Sequence, residues 1–296
     1  MKRDYERLEA FDLSNLETPF GRVEYAQADE GPAVLVVHGV FGGYDFGVGT
    51  GRVNVPAGYR IIAPSRFGYF GSPFPDDPSP AVQADAFAAL LDHLGIDALP
   101  VVAFSAGTSS AVQLALRHPD SVSQLELISP NSPHPTPLPK PPRPLAPILF
   151  SQPVFWAMRL LARSRLEGMA GTPRGFVPDE REHAALREII DSLFPVGPRA
   201  PGTIYDSYIG NLDIAGYPFE SLTVPTLVIA AEDDTLAPYE DSRAMADRIP
   251  GARFVSVQRG GHALTQLDPG ARRALAEFLA AATRDAPLTS SVPGGG

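Results

Sequence analysis

The sequence predicts an α/β architecture: a mostly parallel, doubly wound sheet with a helical cap inserted after the sixth strand. Three observations predict it. Short apolar runs of strand length alternate with amphipathic runs of helical period through both ends of the chain. The alternation breaks once, in a proline-dense stretch between residues 130 and 147, and resumes at Val224. At 296 residues and 44% hydrophobic composition, the chain is long and apolar enough to bury one large α/β core.

Each element follows from its residues. Arg22 to Ala26, Ala33 to Val37 and Tyr59 to Ala63 read as the early strands. From Pro80 to Leu94, the side chains of Val82, Phe87, Leu90, Leu91 and Leu94 recur near helical spacing. Leu99 to Phe104 is an unbroken apolar strand, Ala106 to Arg117 a helix and Ser123 to Ile128 a strand. Pro139, Pro141, Pro142, Pro144 and Pro147 then remove backbone donors and exclude a helix or central strand, leaving an extended hinge. Beyond it, Ile148 to Leu166, Asp179 to Leu193 and Thr203 to Leu212 read as helices. Val224 to Ala231 and Arg253 to Val257 restore the strands. The expected division is a core of residues 1–132 and 216–285, a cap of 133–215, and a low-complexity tail, 286–296, that is expected to be disordered.

Ser105 is the most informative residue. The strand ending at Phe104 stops at a serine flanked two residues away by Ala103 and Gly107, and a helix follows at once. A strand that turns sharply into a helix at a serine, with small neighbours that avoid a clash, is a nucleophile elbow of G-x-S-x-G type, here with alanine first. A serine hydroxyl attacks well only when a neutral imidazole takes its proton, and the imidazole needs a carboxylate to hold its tautomer. Both follow later strands. Ala231 is succeeded by Glu232-Asp233-Asp234, and Val257 by Gly260-Gly261-His262. An earlier strand runs into His38-Gly39-Val40-Phe41-Gly42-Gly43.

In the order serine, acid, histidine, these segments resemble the α/β-hydrolase superfamily over about Gly21 to Leu279. The first loop looks most like the bacterial carboxylesterase-like branch that reads H-G-x-G-G, with Phe41 where glycine is frequent. The resemblance implies Ser105 as nucleophile and His262 as proton shuttle, with the Val40 and Ala106 amides as the oxyanion hole. Asp233 and Asp234 compete for the acid. The family's acid usually falls three residues after the small residue that closes the strand and about four before a proline; counting from Ala231 and back from Pro238 favours Asp234. Ser65-Arg66-Phe67-Gly68-Tyr69-Phe70-Gly71-Ser72 departs from the family's D-x-x-G-x-G-x-S at its first position and at its second glycine.

Composition narrows the partners. Ten more acidic than basic residues argue against nucleic acid and anionic membranes, and no apolar run is long enough for a membrane helix. The charged N-terminus lacks the apolar run of a secretory signal; with no cysteines, this fits a cytoplasmic protein. No metal-ligand spacing and no phosphate or dinucleotide loop is present, so no cofactor is implied. The expected activity is cofactor-free hydrolysis of a small-molecule ester or lactone through an acyl-enzyme. Carbon–carbon bond hydrolysis and perhydrolysis are alternatives on the same triad, and a receptor that retains the triad is the alternative of another class. Phe41, Phe104, Trp156, Phe194 and Leu236 are the candidates for the substrate pocket, and the cap is expected to select substrates rather than take part in the chemistry.

Overall fold

The computed structural model describes residues 2–135 and 140–285. Eight strands make one sheet: β1 (Leu13–Thr18), β2 (Gly21–Ala28), β3 (Ala33–Val37), β4 (Arg60–Pro64), β5 (Leu99–Phe104), β6 (Val122–Ile128), β7 (Thr226–Ala231) and β8 (Arg253–Val257). Their spatial order is β1-β2-β4-β3-β5-β6-β7-β8. The pairs β1/β2 and β2/β4 are antiparallel, and every later neighbour is parallel. Parallel strands are covered on both faces, which is why β5 and β7 are buried along their whole lengths and read as unbroken apolar runs.

The helices are α1 (Lys2–Leu8), α2 (Tyr44–Asn54), α3 (Pro80–His93), α4 (Gly107–Arg117), α5 (Ala146–Leu149), α6 (Gln152–Leu161), α7 (Arg163–Met169), α8 (Glu180–Ser192), α9 (Ala200–Tyr205), α10 (Tyr239–Arg248), α11 (Gly261–Leu264) and α12 (Pro269–Asp285). Local chemistry sets several starts. Ser79 caps α3 by accepting the Val82 N–H at 3.3 Å with Pro80 at its first turn, and Asp179 and Glu182 form a reciprocal capping box on α8. One apolar layer packs α3, α4 and α10 on the sheet through Phe87, Leu90, Leu114 and Met245. The other packs α2 and α12 through Tyr44, Val48, Leu275 and Leu279. Glu126 of β6 is fully buried, and among the described residues neither of its carboxylate oxygens has a hydrogen-bond partner. Residues after the proline stretch build a separate small core around Phe155, Leu166, Ile190 and Phe194.

Several elements of the structure have no counterpart in the sequence reading, among them α1, α10 and α12, together with β1 and α2. β1 is a half-exposed edge strand, and α2 carries glycine at 47, 49 and 51. Cβ atoms on Gly47 and Gly51 would stand 2.8 Å from the Ala63 Cβ and 2.9 Å from the Ile61 Cδ1, so glycine at these two positions lets the helix lie tightly on β4. The helix expected over Thr203 to Leu212 instead begins at Ala200 and loosens into a π turn over Asp206–Gly210. The expected tail, 286–296, and residues 136–139 of the hinge lie outside the described residues. Among the described residues, no helix is long and apolar enough to cross a membrane.

Candidate active site

The carboxyl ends of β3, β5, β6, β7 and β8 point to one edge of the sheet, where open α/β folds gather ligands. Ser105 follows β5 in the left-handed region, φ 49°. Such a conformation is costly for a side chain with a Cβ and persists only where the surroundings enforce it. Here the Ser105 N–H donates to the Ile128 carbonyl at 3.1 Å, and its own carbonyl accepts from Thr108 and Asn131 at 3.0 Å each. A Cβ at position 107 would sit 2.7 Å from the Val37 carbonyl oxygen, so Gly107 is a steric requirement of the turn. Helix α4 starts there, and the dipoles of its first turn favour negative charge beside Ser105.

The two adjacent aspartates divide into different tasks. Asp234 turns one oxygen to His262 Nδ1 at 2.8 Å and accepts the Leu236 and Ala237 N–H groups on the other, each at 2.8 Å. Asp233 accepts from Gly260 and Gly261 at 3.1 and 2.8 Å, holding the turn that delivers His262. A carboxylate accepting two backbone donors cannot rotate freely, so the oxygen facing His262 is fixed in place. With Nδ1 engaged, Nε2 is the ring nitrogen left for another partner. His262 lines the same cavity as Ser105.

The loop after β3 is held rigidly. His38 is fully buried, and its Nε2 accepts the Arg66 N–H at 3.0 Å, so Nδ1 carries the proton donated to the Gly39 carbonyl at 2.7 Å. Burial, followed by the nearby Arg66 and Arg199 charges, pushes the His38 pKa well below its ordinary value and keeps this tautomer neutral. The Phe41 N–H donates to Thr203 Oγ1 at 3.0 Å. Among the described residues, the Val40 and Ala106 N–H groups find no acceptor within the protein. Val40 lines the cavity, whereas Ala106 is 3% exposed and is not part of its lining.

The cavity itself measures about 90 Å³ and is bounded mainly by aromatic and aliphatic side chains. Of the side chains nominated from sequence, Phe41, Phe104 and Leu236 line it. Trp156 and Phe194 do not, and that expectation is corrected. Trp156 stands 45% exposed on the outside of α6, because consecutive helical residues diverge by about 100° and Phe155 takes the inward position. Phe194 is wholly buried inside the cap core, under the Arg159 guanidinium at 4.6 Å from its ring centroid. Phe46, Met169, Ile189 and Leu193 line the cavity without having been singled out. Their signal was the inward stripe of each helix, which becomes visible only once the helices are docked.

Comparison with known proteins bears on the fold and the family. The sequence pattern of the α/β hydrolase fold family matches residues 32–189, and a second pattern, described as TAP-like protein, matches 215–291. A 2-hydroxymuconate semialdehyde hydrolase of Pseudomonas putida is 30% identical over 268 residues, 86% of this chain and 89% of that protein. The putative carbamate hydrolase RutD of Caulobacter vibrioides is 30% identical over 67% of this chain and 71% of its own. Among solved structures, an alpha/beta hydrolase fold protein from Nakamurella multipartita is similar, with a TM-score of 0.76 at 29% identity, covering 90% of this chain and 99% of that one. With an eight-stranded, mostly parallel sheet and a matching family pattern over more than half its length, the chain belongs to the α/β-hydrolase family.

Proposed function

We propose that this protein is a serine hydrolase of carboxylic esters or lactones with a small apolar acyl group. The observation that carries the reading is the convergence of three groups on one apolar cavity: Ser105 on its strained turn, His262 oriented by Asp234, and the Gly39–Phe41 loop. In this mechanism, Ser105 Oγ attacks the substrate carbonyl as His262 Nε2 takes its proton. The Val40 and Ala106 N–H groups receive the oxyanion. Collapse of the tetrahedral adduct breaks the bond to the alcohol oxygen, which leaves with the proton returned by His262. Water, deprotonated by the same nitrogen, then attacks the acyl-enzyme and frees the acid and Ser105.

The lining favours a neutral substrate, because among the described residues it holds no Lys or Arg side chain to meet a substrate carboxylate. Carbon–carbon hydrolysis is the second reading, favoured by the 30% identity to the semialdehyde hydrolase. Hydrolysis of short p-nitrophenyl esters, together with intact-mass detection of a fluorophosphonate adduct, tests the proposal. Turnover and labelling should both vanish in a folded Ser105→Ala protein, the turnover by several orders of magnitude. Labelling without turnover of esters or lactones would sink the ester reading in favour of another substrate class or a receptor.

A further inference from the structure

Phe41 occupies the left-handed region at φ 54°, next to the Val40 amide in the loop after β3. Such a backbone needs outside restraint, and its polar restraint comes from the inserted helices. Its N–H donates to Thr203 Oγ1 at 3.0 Å, and its carbonyl accepts from Arg199 Nη1 at 3.1 Å. The same Arg199 nitrogen reaches the Gly42 carbonyl at 2.8 Å. Its ring packs on two further insertion residues, Phe150 and Phe155, with centroids 5.4 and 4.9 Å away.

Arg199 itself has no exposed surface, and its guanidinium is gripped by Asp45 in two hydrogen bonds of 3.0 and 2.7 Å. On the other flank, Arg66 Nε donates to the His38 carbonyl at 2.9 Å, and both terminal guanidinium nitrogens donate to the Asp206 carboxylate. Arg199, Thr203 and Asp206 fall at i, i+4 and i+7, one face of a single helical segment. The π turn beginning at Asp206 widens the helix where its carboxylate meets Arg66, and such turns are frequent at functional sites.

We propose that this face of the cap is a clamp that holds the oxyanion loop, with Arg199 and Thr203 as positioning residues for the Val40 N–H. The inference rests on the hydrolase reading. It revises the expectation that the cap only selects substrates, since a capless core would lose both groups that fix the Phe41 peptide.

Thr203→Val, which keeps the shape and removes the acceptor, and Arg199→Lys, which keeps the charge and removes the planar fork, test it. Removing an oxyanion donor costs about 10²–10³ in kcat. Loosening its support should therefore cost about tenfold in Thr203→Val and up to about a hundredfold in Arg199→Lys, with KM within about twofold. Affinity for a trifluoromethyl ketone, which forms the oxyanion, should fall by the same factor as kcat/KM. Affinity for the product alcohol should stay unchanged. A purely structural role would not produce that split. If Arg199→Lys fails to fold, Thr203→Val alone decides. Folded variants with unchanged kcat and ketone affinity, or with KM alone altered, overturn the clamp. A wild-type protein that neither turns over esters nor reacts at Ser105 overturns the hydrolase reading, and the clamp falls with it.

Discussion

Replacing Asp234 by asparagine tests the catalytic arrangement most sharply, because the surrounding hydrogen bonds dictate how the new side chain must lie. One Asp234 oxygen accepts the Leu236 and Ala237 N–H groups, each at 2.8 Å. An asparagine must keep its carbonyl there, since turning its NH₂ toward two donors would break both bonds. The NH₂ therefore faces His262, where the carboxylate now accepts from Nδ1 at 2.8 Å. A donor in that place forces the proton onto Nε2 and removes the lone pair that should receive the Ser105 proton. The expected loss is about 10⁴ in kcat, or about 5 kcal/mol in the barrier. Asp233→Asn is the control. It keeps one acceptor for the Gly260–Gly261 turn, and its cost should stay within about tenfold. Steady-state hydrolysis of p-nitrophenyl acetate, with circular dichroism of both variants, measures the difference. A folded Asp234→Asn enzyme within tenfold of wild type, or a larger loss in Asp233→Asn, would refute the assignment.

Two further outcomes are expected. Phe46, Ile189 and Gln266 border both the reaction cavity and a second pocket of about 540 Å³ toward α1, so Phe46→Ala should join them and shift the ester preference from acetate toward longer acyl chains. A kcat/KM series from acetate to decanoate with an unchanged optimum would show that this wall sets no limit. Glu126, buried without a partner, has its pKa raised well above the ordinary carboxylate value by desolvation. The unfolded chain therefore releases this proton at lower pH than the folded one, and stability falls as pH rises above about 4.5. Glu126→Met should raise the melting temperature more at about pH 8 than at about pH 5, each kcal/mol appearing as about 2–4 °C in chains of 150–250 residues. Equal shifts at both values would mean that Glu126 is ionised in the fold.

The alternation of strands and helices, the sharp turn at Ser105, and the placing of Asp233, Asp234 and His262 just past the ends of later strands were legible in the sequence. Each depends on a few adjacent residues: an apolar run that must be buried, a small residue where backbone crowds backbone, an acid at a fixed distance past a strand. Local steric and burial rules act on such segments before anything distant is in place. The pocket wall, by contrast, was decided by docking. Phe155 and Trp156 are neighbours of similar character, yet only the angle of α6 against the core turns one into the cavity and the other to solvent. Glycine hid α2 because its reason, close contact with β4, lies on another element. Arg199 likewise looks like a surface residue in sequence. It has no exposed surface because Asp45 and two loop carbonyls, brought from more than 150 positions away, satisfy its guanidinium where water cannot reach.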